Sequence, residues 1–311
     1  MKKVGIIGGS GFIGSYITKK FLDENYQVKV GVTNLSKTEK YEHLMNLTNA
    51  NHLEIAELNV ENLSVLKDFV QGCDILIHGG TPFQLDVKDA AKELLDPTII
   101  GTENFLQAIA QSPVLKKVVF IASVAAFTAA FPFPADSQSH NHLYTEADTP
   151  FIHGSNHPYA QAKHYADQSV RKFVLDNPDA GFEIVSVYPT FVVGKPLSAR
   201  QDSMSVGMQY LFQNKIAPND FIGMLYQQDV EFAMVDVKDV AESIFNAAVI
   251  PGINGKNYLL SAESWKISDI SLMLNKQPAA GTSRTVYSSN LATQDLGINF
   301  KPAQVPLNQY A

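Results

Sequence analysis

The sequence is poor in the features that mark several classes of protein. Its one cysteine, Cys73, excludes an intrachain disulfide and fits a reducing compartment. Charged residues make up only 18% of the chain, no basic run exceeds Lys-Lys, and the net charge is −7, so there is no electrostatic footprint for nucleic acid or an anionic membrane. No apolar run is long enough to cross a bilayer. The longest uncharged stretch, Val118 to Ala135, is strongly apolar only over its first fourteen residues and is then broken by Pro132 and Pro134. Internal repeats, low-complexity tracts and long linkers are also missing. These absences point to a cytoplasmic protein without nucleic-acid or membrane partners, a monomer or homodimer. Its 311 residues suffice for one large domain or for a core domain carrying a smaller lobe.

What is present starts with MKKVGIIGGSGFIGSYITKKFL. A basic start before an apolar run raises an export signal, but Gly8, Gly9, Ser10, Gly11 and Gly14 interrupt the run and Lys19 and Lys20 follow it. Glycines at 8, 11 and 14 suit a chain that leaves a strand, brings its backbone against a phosphate and opens a helix at Phe12 and Ile13. We read this segment as a nucleotide-binding turn. Short apolar runs then alternate with amphipathic segments. Strands are expected at Val4–Ile7, Val28–Val32, Leu53–Leu58, Ile75–His78, Val118–Ala122 and Glu183–Tyr188, and helices at Phe12–Glu24, Thr38–Leu47, Asn62–Val70, Thr98–Ala110 and Pro158–Leu175. Asp96 is the expected N-cap of the fourth helix, with Pro97 at its first position.

This is the pattern of a doubly wound parallel sheet, a Rossmann fold, over residues 1–189. Beyond Pro189 the rhythm changes to loops, an isolated strand near Val230–Val235 and a helix at Val237–Ala248. Residues 190–311 are expected to form mainly a small substrate lobe, with 230–250 returning to the core.

Doubly wound sheets bind ligands outside the carboxyl ends of their strands, and the second strand's end reads the ribose 2′ position. There the segment VKVGVTNLSKTEK offers Thr33, Asn34, Lys37 and Lys40, with no acid before Glu39, which favours NADP over NAD. In YAQAK, a spacing of four sets Tyr159 and Lys163 on one helix face, where the lysine cation is expected to lower the phenol's pKa. Ser123, at the end of the fifth strand, can hydrogen-bond a carbonyl while the tyrosine protonates it. Each feature alone is weak, since strand-end serines and Tyr-x-x-x-Lys pairs are common; their order along the chain is what gives them weight. His140, His142, His153 and His157 have spacings that suit a metal, but no cysteine lies near them and they read better as loop residues, so no metal is expected. Phe131, Phe133, Phe191, Met204, Met208 and Tyr226 flank the site, and some of them should wall an apolar pocket.

Taken together, GGSGFIGS, GCDILIHGGTP, DPTIIGTENFL, the Ser123, Tyr159 and Lys163 set, YPTFVVGKP, MVDVKDVAE and DLGINFKP resemble the extended short-chain dehydrogenase/reductases, the NAD-dependent epimerase/dehydratase superfamily. Within it the likeness is to the dihydroflavonol reductase, cinnamoyl-CoA reductase and aldehyde/ketone reductase branch, and it runs nearly end to end. The resemblance implies a catalytic triad of Ser123, Tyr159 and Lys163, with the lysine also holding the nicotinamide ribose. It implies a nicotinamide pocket lined by Pro189 to Val192, and further cofactor contacts from Asn59, Val60 and Gly80. Three positions depart from the pattern: Thr33 stands where many NADP-using relatives have arginine, Asn59 where an acid is usual near the adenine, and Thr128 where flavonoid-type members have a substrate-binding asparagine. The expected activity is NADP(H)-dependent reduction of a hydrophobic aldehyde or ketone. The alternatives are a nucleotide-sugar epimerase or dehydratase, against which Phe191 and Val124 count, and a non-catalytic NAD(P)-sensing regulator, against which the retained Tyr159 and Lys163 count.

Overall fold

The structure is a computed structural model that describes residues 1–79, 89, 91–128, 130–133, 142–152, 157–200 and 203–310. Gly80, His140 and His153 lie outside the described residues. The chain runs β1 (Lys3–Ile7), α1 (Phe12–Asp23), β2 (Gln27–Val32), α2 (Glu42–Met45), β3 (Leu53–Glu57), α3 (Leu63–Val70), β4 (Ile75–His78), α4 (Asp96–Ile109), β5 (Lys117–Ile121), α5 (Val124–Phe127), α6 (Pro158–Asp176) and β6 (Glu183–Pro189). It continues through β7 (Phe191–Val193), α7 (Met204–Asn214), α8 (Asp220–Gln227), β8 (Glu231–Asp236), α9 (Val237–Val249), β9 (Asn257–Leu260), β10 (Glu263–Lys266), α10 (Ile267–Leu274), α11 (Asn290–Leu296) and α12 (Gln304–Tyr310).

Seven strands form one parallel sheet in the order β3-β2-β1-β4-β5-β6-β9. The middle strands β1, β4 and β5 are buried at every position but Lys3, because helices cover both faces. Leu76 and Val118 point to one face, packing with Phe105 and Ile109, whereas Ile77 and Val119 point to the other, packing with Ile17, Val240 and Ile244. The strand order reverses between β1 and β4, and the crevice opened there lies at the carboxyl ends of the strands. A second sheet, β10-β8-β7, packs with α7, α8 and α10 around Phe212, Leu225, Phe232 and Ile270.

The first six strands fall where the apolar runs place them. Three other expectations change. The stretch 38–47 is a 3-10 turn followed by the short α2, because Tyr41 leaves helical geometry (φ −140°) and its hydroxyl donates to the Leu35 carbonyl at 2.7 Å. Asp96 is a helical residue rather than a cap: a π-helical turn, Ala91–Leu95, runs directly into α4, and Pro97 is tolerated in the first turn, where its missing N–H costs nothing. The strand near Val230 is not isolated, since β8 lies between β7 and β10. After α9 the chain also supplies β9 to the large sheet.

On α6, Tyr159, Lys163, Asp167 and Arg171 follow one another at intervals of four and share a face. Asp167, with no exposed surface, accepts from Arg171 Nε at 2.7 Å and from the Tyr188 hydroxyl of β6, to which Arg171 Nη2 also donates at 2.7 Å. The same hydroxyl lies 3.1 Å from Asn257 Oδ1 in β9, so the network ties α6 to two neighbouring strands. Removing one partner of a buried charged pair leaves the others desolvated and unpaired. Asp167→Ala should therefore cost about 3 kcal/mol. Asp176→Ala, which breaks an exposed pair with Lys172, should cost less than about 0.5 kcal/mol. Thermal and urea unfolding of both variants checks this; equal losses would contradict the clamp.

Candidate active site

The glycine turn is built by backbone constraints. Gly8 holds φ at +82°, the left-handed region, and its carbonyl accepts from the Gly11 N–H at 3.1 Å. A Cβ at Gly14 would stand 2.0 Å from the Gly8 oxygen, so α1 can lie against the turn only with glycine there. Gly11 caps α1 without a side-chain hydrogen bond, which leaves the first-turn N–H groups facing outward, as an anion requires.

From this turn a cavity of about 970 Å³ runs along the strand ends. Gly8, Ser10, Gly11, Phe12, Ile13 and Gly14 form one end; Thr33, Asn34 and Lys40 after β2 and Asn59 and Val60 after β3 lie beside it. The other end holds Ser123, Tyr159, Lys163, Pro189 and Val192. The residues fit an elongated dinucleotide, whose diphosphate needs the uncapped helix end and whose rings need the strand-end crevice. Lys37 does not belong to the wall: it is exposed and precedes the 3-10 turn that carries Lys40 inward. Arg200 does line the cavity, its Nη1 donating to the Lys40 carbonyl at 2.8 Å and to the Ser10 carbonyl at 3.4 Å. A residue 160 positions from Lys40 gives no local signal of that meeting.

Ser123 ends β5 in extended backbone (φ −162°, ψ 152°), and its Oγ caps α5 by accepting from the Ala125 N–H at 3.2 Å. Its hydroxyl also hydrogen-bonds the Tyr159 phenol, which is half-buried. Lys163 is 6% exposed, and its Nζ lies 5.9 Å from the centre of the Tyr159 ring. Burial pushes the lysine down to about 8 and the phenol up to about 12, although the Ser123 bond pulls the phenol the other way. The expectation that the phenol's pKa is lowered is not met: its net shift is upward, with loss of water the largest cause. His78, at the end of β4, is stacked on Phe120 and tilted against Phe105, and burial holds it down to about 3, neutral beside the lysine's charge.

The far wall is apolar. Phe131 meets Phe232 edge-on at 5.8 Å, Phe191 stands 5.7 Å from Phe232, and Phe133, Met204, Met208 and Phe221 extend the surface. Tyr226 is not part of it; its hydroxyl donates to Leu211 and Ile216 carbonyls behind the wall. His157 caps α6 through Nδ1, accepting from the Tyr159 N–H at 3.2 Å, and its ring faces the cavity mouth. Thr128 is 3% exposed and bonded to the Tyr287 hydroxyl at 2.8 Å, so it lies away from the cavity wall. Among the described residues no three His, Cys, Asp or Glu side chains converge as metal ligands, and no helix is long and apolar enough to cross a membrane.

Comparison with known proteins adds a family to this geometry. The model of the NAD dependent epimerase/dehydratase family matches residues 4–253. The chain belongs to that family. It is 31% identical to cinnamoyl-CoA reductase of Medicago truncatula over 258 residues, 82% of this chain and 74% of the relative. It is 23% identical to an anthocyanidin reductase of Vitis vinifera over 280 residues, covering 88% and 80%. Among solved structures, Gre2 of Candida albicans in complex with NADPH superposes with a TM-score of 0.82 at 23% identity, covering 100% and 97% of the two chains, a likeness of fold. The family is the one that the motifs resemble.

Proposed function

We propose that this protein is an NADPH-dependent reductase that converts a hydrophobic aldehyde or ketone to the alcohol. The reading rests on one observation: a continuous cavity joins the glycine turn to Ser123, Tyr159 and Lys163 under a wall of aromatic and methionine side chains. The relatives named as reductases, and the NADPH held by Gre2 of Candida albicans, support it. Residues 1–189 would hold the dinucleotide, and 190–311 mainly the substrate.

When bound, the nicotinamide supplies the hydride that goes to the carbonyl carbon. This chain supplies the proton and the orientation. The Ser123 hydroxyl and the Tyr159 phenol meet at the strand end, where together they receive the substrate oxygen. A phenol with a pKa near 12 is fully protonated at neutral pH, so its proton is in place for transfer. As the C=O bond becomes an alcohol, Tyr159 gives its proton to the oxygen and is left as phenolate. The Lys163 ammonium on the same helix face stabilises that charge until solvent returns a proton. Lys163 would also hold the nicotinamide ribose, and Pro189 and Val192 would pack on the nicotinamide ring.

The wall selects the substrate's body. Burying about 100 Å² of hydrocarbon is worth about 2.5 kcal/mol. Against the same rings, each unpaired sugar hydroxyl would cost about 1–3 kcal/mol. Phe191 also lines this side, and Val124, next to Ser123, is buried in the core and offers no acid.

Purified protein assayed with NADPH against aliphatic, aromatic and diketone carbonyls, and in parallel with UDP- and dTDP-sugars, tests the reading. A hydrophobic carbonyl should be reduced with the highest kcat/KM, and Tyr159→Phe should lower its turnover by about 100- to 10,000-fold with little change in dinucleotide affinity. Conversion of a nucleotide sugar, with the carbonyl panel leaving NADPH untouched, would replace it with the epimerase reading.

A pH profile gives a separate check. Lys163 is cationic below about 8 and neutral above it, whereas Tyr159 keeps its proton to about 12, so only the lysine titrates in the working range. Reductive kcat/KM should be level below pH 8 and fall above it, and Lys163→Arg, always charged, should move that falling limb to higher pH. An unmoved limb would assign it to another group.

A further inference from the structure

We infer that Arg200, from the loop between β7 and α7, reads the adenosine 2′-phosphate of the cofactor and replaces the strand-end cation that this chain lacks. The inference rests on the dinucleotide reading above and names the group that gives it a preference for the phosphorylated form.

The ribose of the adenosine half lies between the glycine turn, which takes the diphosphate, and the end of the second strand. Arg200 bridges these two segments, since its Nη1 contacts carbonyls of Ser10 and Lys40. The second-strand end itself offers an anion no charge. Thr33 and Asn34 are exposed and neutral, and the Asn34 side-chain oxygen accepts from the Ser36 N–H at 2.8 Å and hydroxyl at 2.7 Å, so what this end can present to an anion is uncharged donors. The cations on this part of the wall, among the described residues, are Lys40 and Arg200, and the one carboxylate is Glu61, on the turn after β3. A guanidinium stays charged and presents its N–H groups in a plane that matches a phosphate, so the pair Arg200 and Lys40 forms a two-cation socket.

The neighbouring histidine adds no charge of its own to that socket. The Ser15 hydroxyl donates to the Gly11 carbonyl at 2.7 Å, so the 2.7 Å contact between Ser15 Oγ and His43 Nε2 requires the histidine to donate there. His43 is then the Nε2–H tautomer with Nδ1 as acceptor. Burial and the nearby charge of Arg200 both oppose its protonation, against a weaker pull from Glu42. The charge at this corner therefore stays on Arg200 and Lys40.

A merely structural Arg200, clamping two carbonyls, predicts something different. Loss of a clamp would loosen the turn for every dinucleotide alike, whereas loss of a phosphate reader changes only the phosphorylated ones. Titration calorimetry should measure dissociation constants for NADPH, NADH, adenosine 2′,5′-bisphosphate and AMP with wild type, Arg200→Met, Arg200→Lys, Lys40→Met and Lys37→Met. Arg200→Met should weaken NADPH and the bisphosphate about tenfold or more and NADH and AMP less than twofold; Arg200→Lys should recover part of the loss. Lys40→Met should lower the same selectivity, and Lys37→Met, off the wall, should leave it unchanged. Equal weakening of NADPH and NADH, or no change in their ratio, overturns the assignment while leaving the reductase reading intact. A wild-type protein that binds neither dinucleotide would overturn both.

Discussion

The carboxylate of Asp167 holds the working end of the site in place from two helical turns away. A helix repeats its side-chain direction nearly every four residues, so a carboxylate bound to Arg171 and to the Tyr188 hydroxyl fixes the rotation of α6 about its axis. Tyr159 and Lys163 are on the same face, so that rotation aims both at the carboxyl end of β5. At the N-terminal end of the helix the His164 ring lies 3.1 Å from the Ala126 carbonyl, which joins α6 to the short helix that Ser123 caps. Three side chains from two elements meet because the helix between them cannot turn.

That rigidity has a cost at Lys163. A buried ammonium loses hydration, and this pushes Lys163 down to about 8. His78 is buried and neutral, and its Nε2 has no partner among the described residues. A second charge there would repel the first. The same desolvation that weakens the lysine raises the phenol, so burial disfavours the charged form of both groups. In the proposed reduction, a substrate oxygen between Ser123 and Tyr159 would meet two hydroxyl groups in a partly buried place, where a hydrogen bond is stronger than in bulk solution.

Legibility in the sequence followed locality. The six strands up to Pro189 were readable because each is a short run rich in apolar residues between turn residues, most clearly in β1, β4 and β5 at the middle of the sheet. The glycine turn and the Tyr159–Lys163 pair were readable because their geometry is set within a dozen residues. The π-helical turn before α4 and the break at Tyr41 were not, since both depend on how a side chain or backbone meets the rest of the fold. Strand β9 was missed for another reason: four residues followed at once by β10 leave no room for a periodic signal, and only pairing with β6 makes Asn257–Leu260 a strand. Thr128 shows the limit of aligning a position with a role, because its hydroxyl is spent on Tyr287 behind the cavity wall. The apolar wall was half legible. The rings of Phe131 and Phe191 come from distant segments and are joined through Phe232, which no local pattern connects to either.

The loop between β7 and α7 serves both ends of the cavity. Arg200 stands at the glycine turn, and Met204, the first residue of α7, lies on the apolar wall. Four residues of extended chain reach at most about 14 Å, so whatever fixes the guanidinium also limits where the methionine can stand. Two carbonyls, from Ser10 and Lys40, hold the guanidinium. On the other side, Met208 is buried in the lobe core with Phe212, which anchors α7. The loop is therefore pinned at one end by the glycine turn and at the other by the lobe. In our reading, selection of the cofactor's phosphate and of the substrate's hydrocarbon body are set by one short piece of chain, so changes that repack α7 should be felt at both.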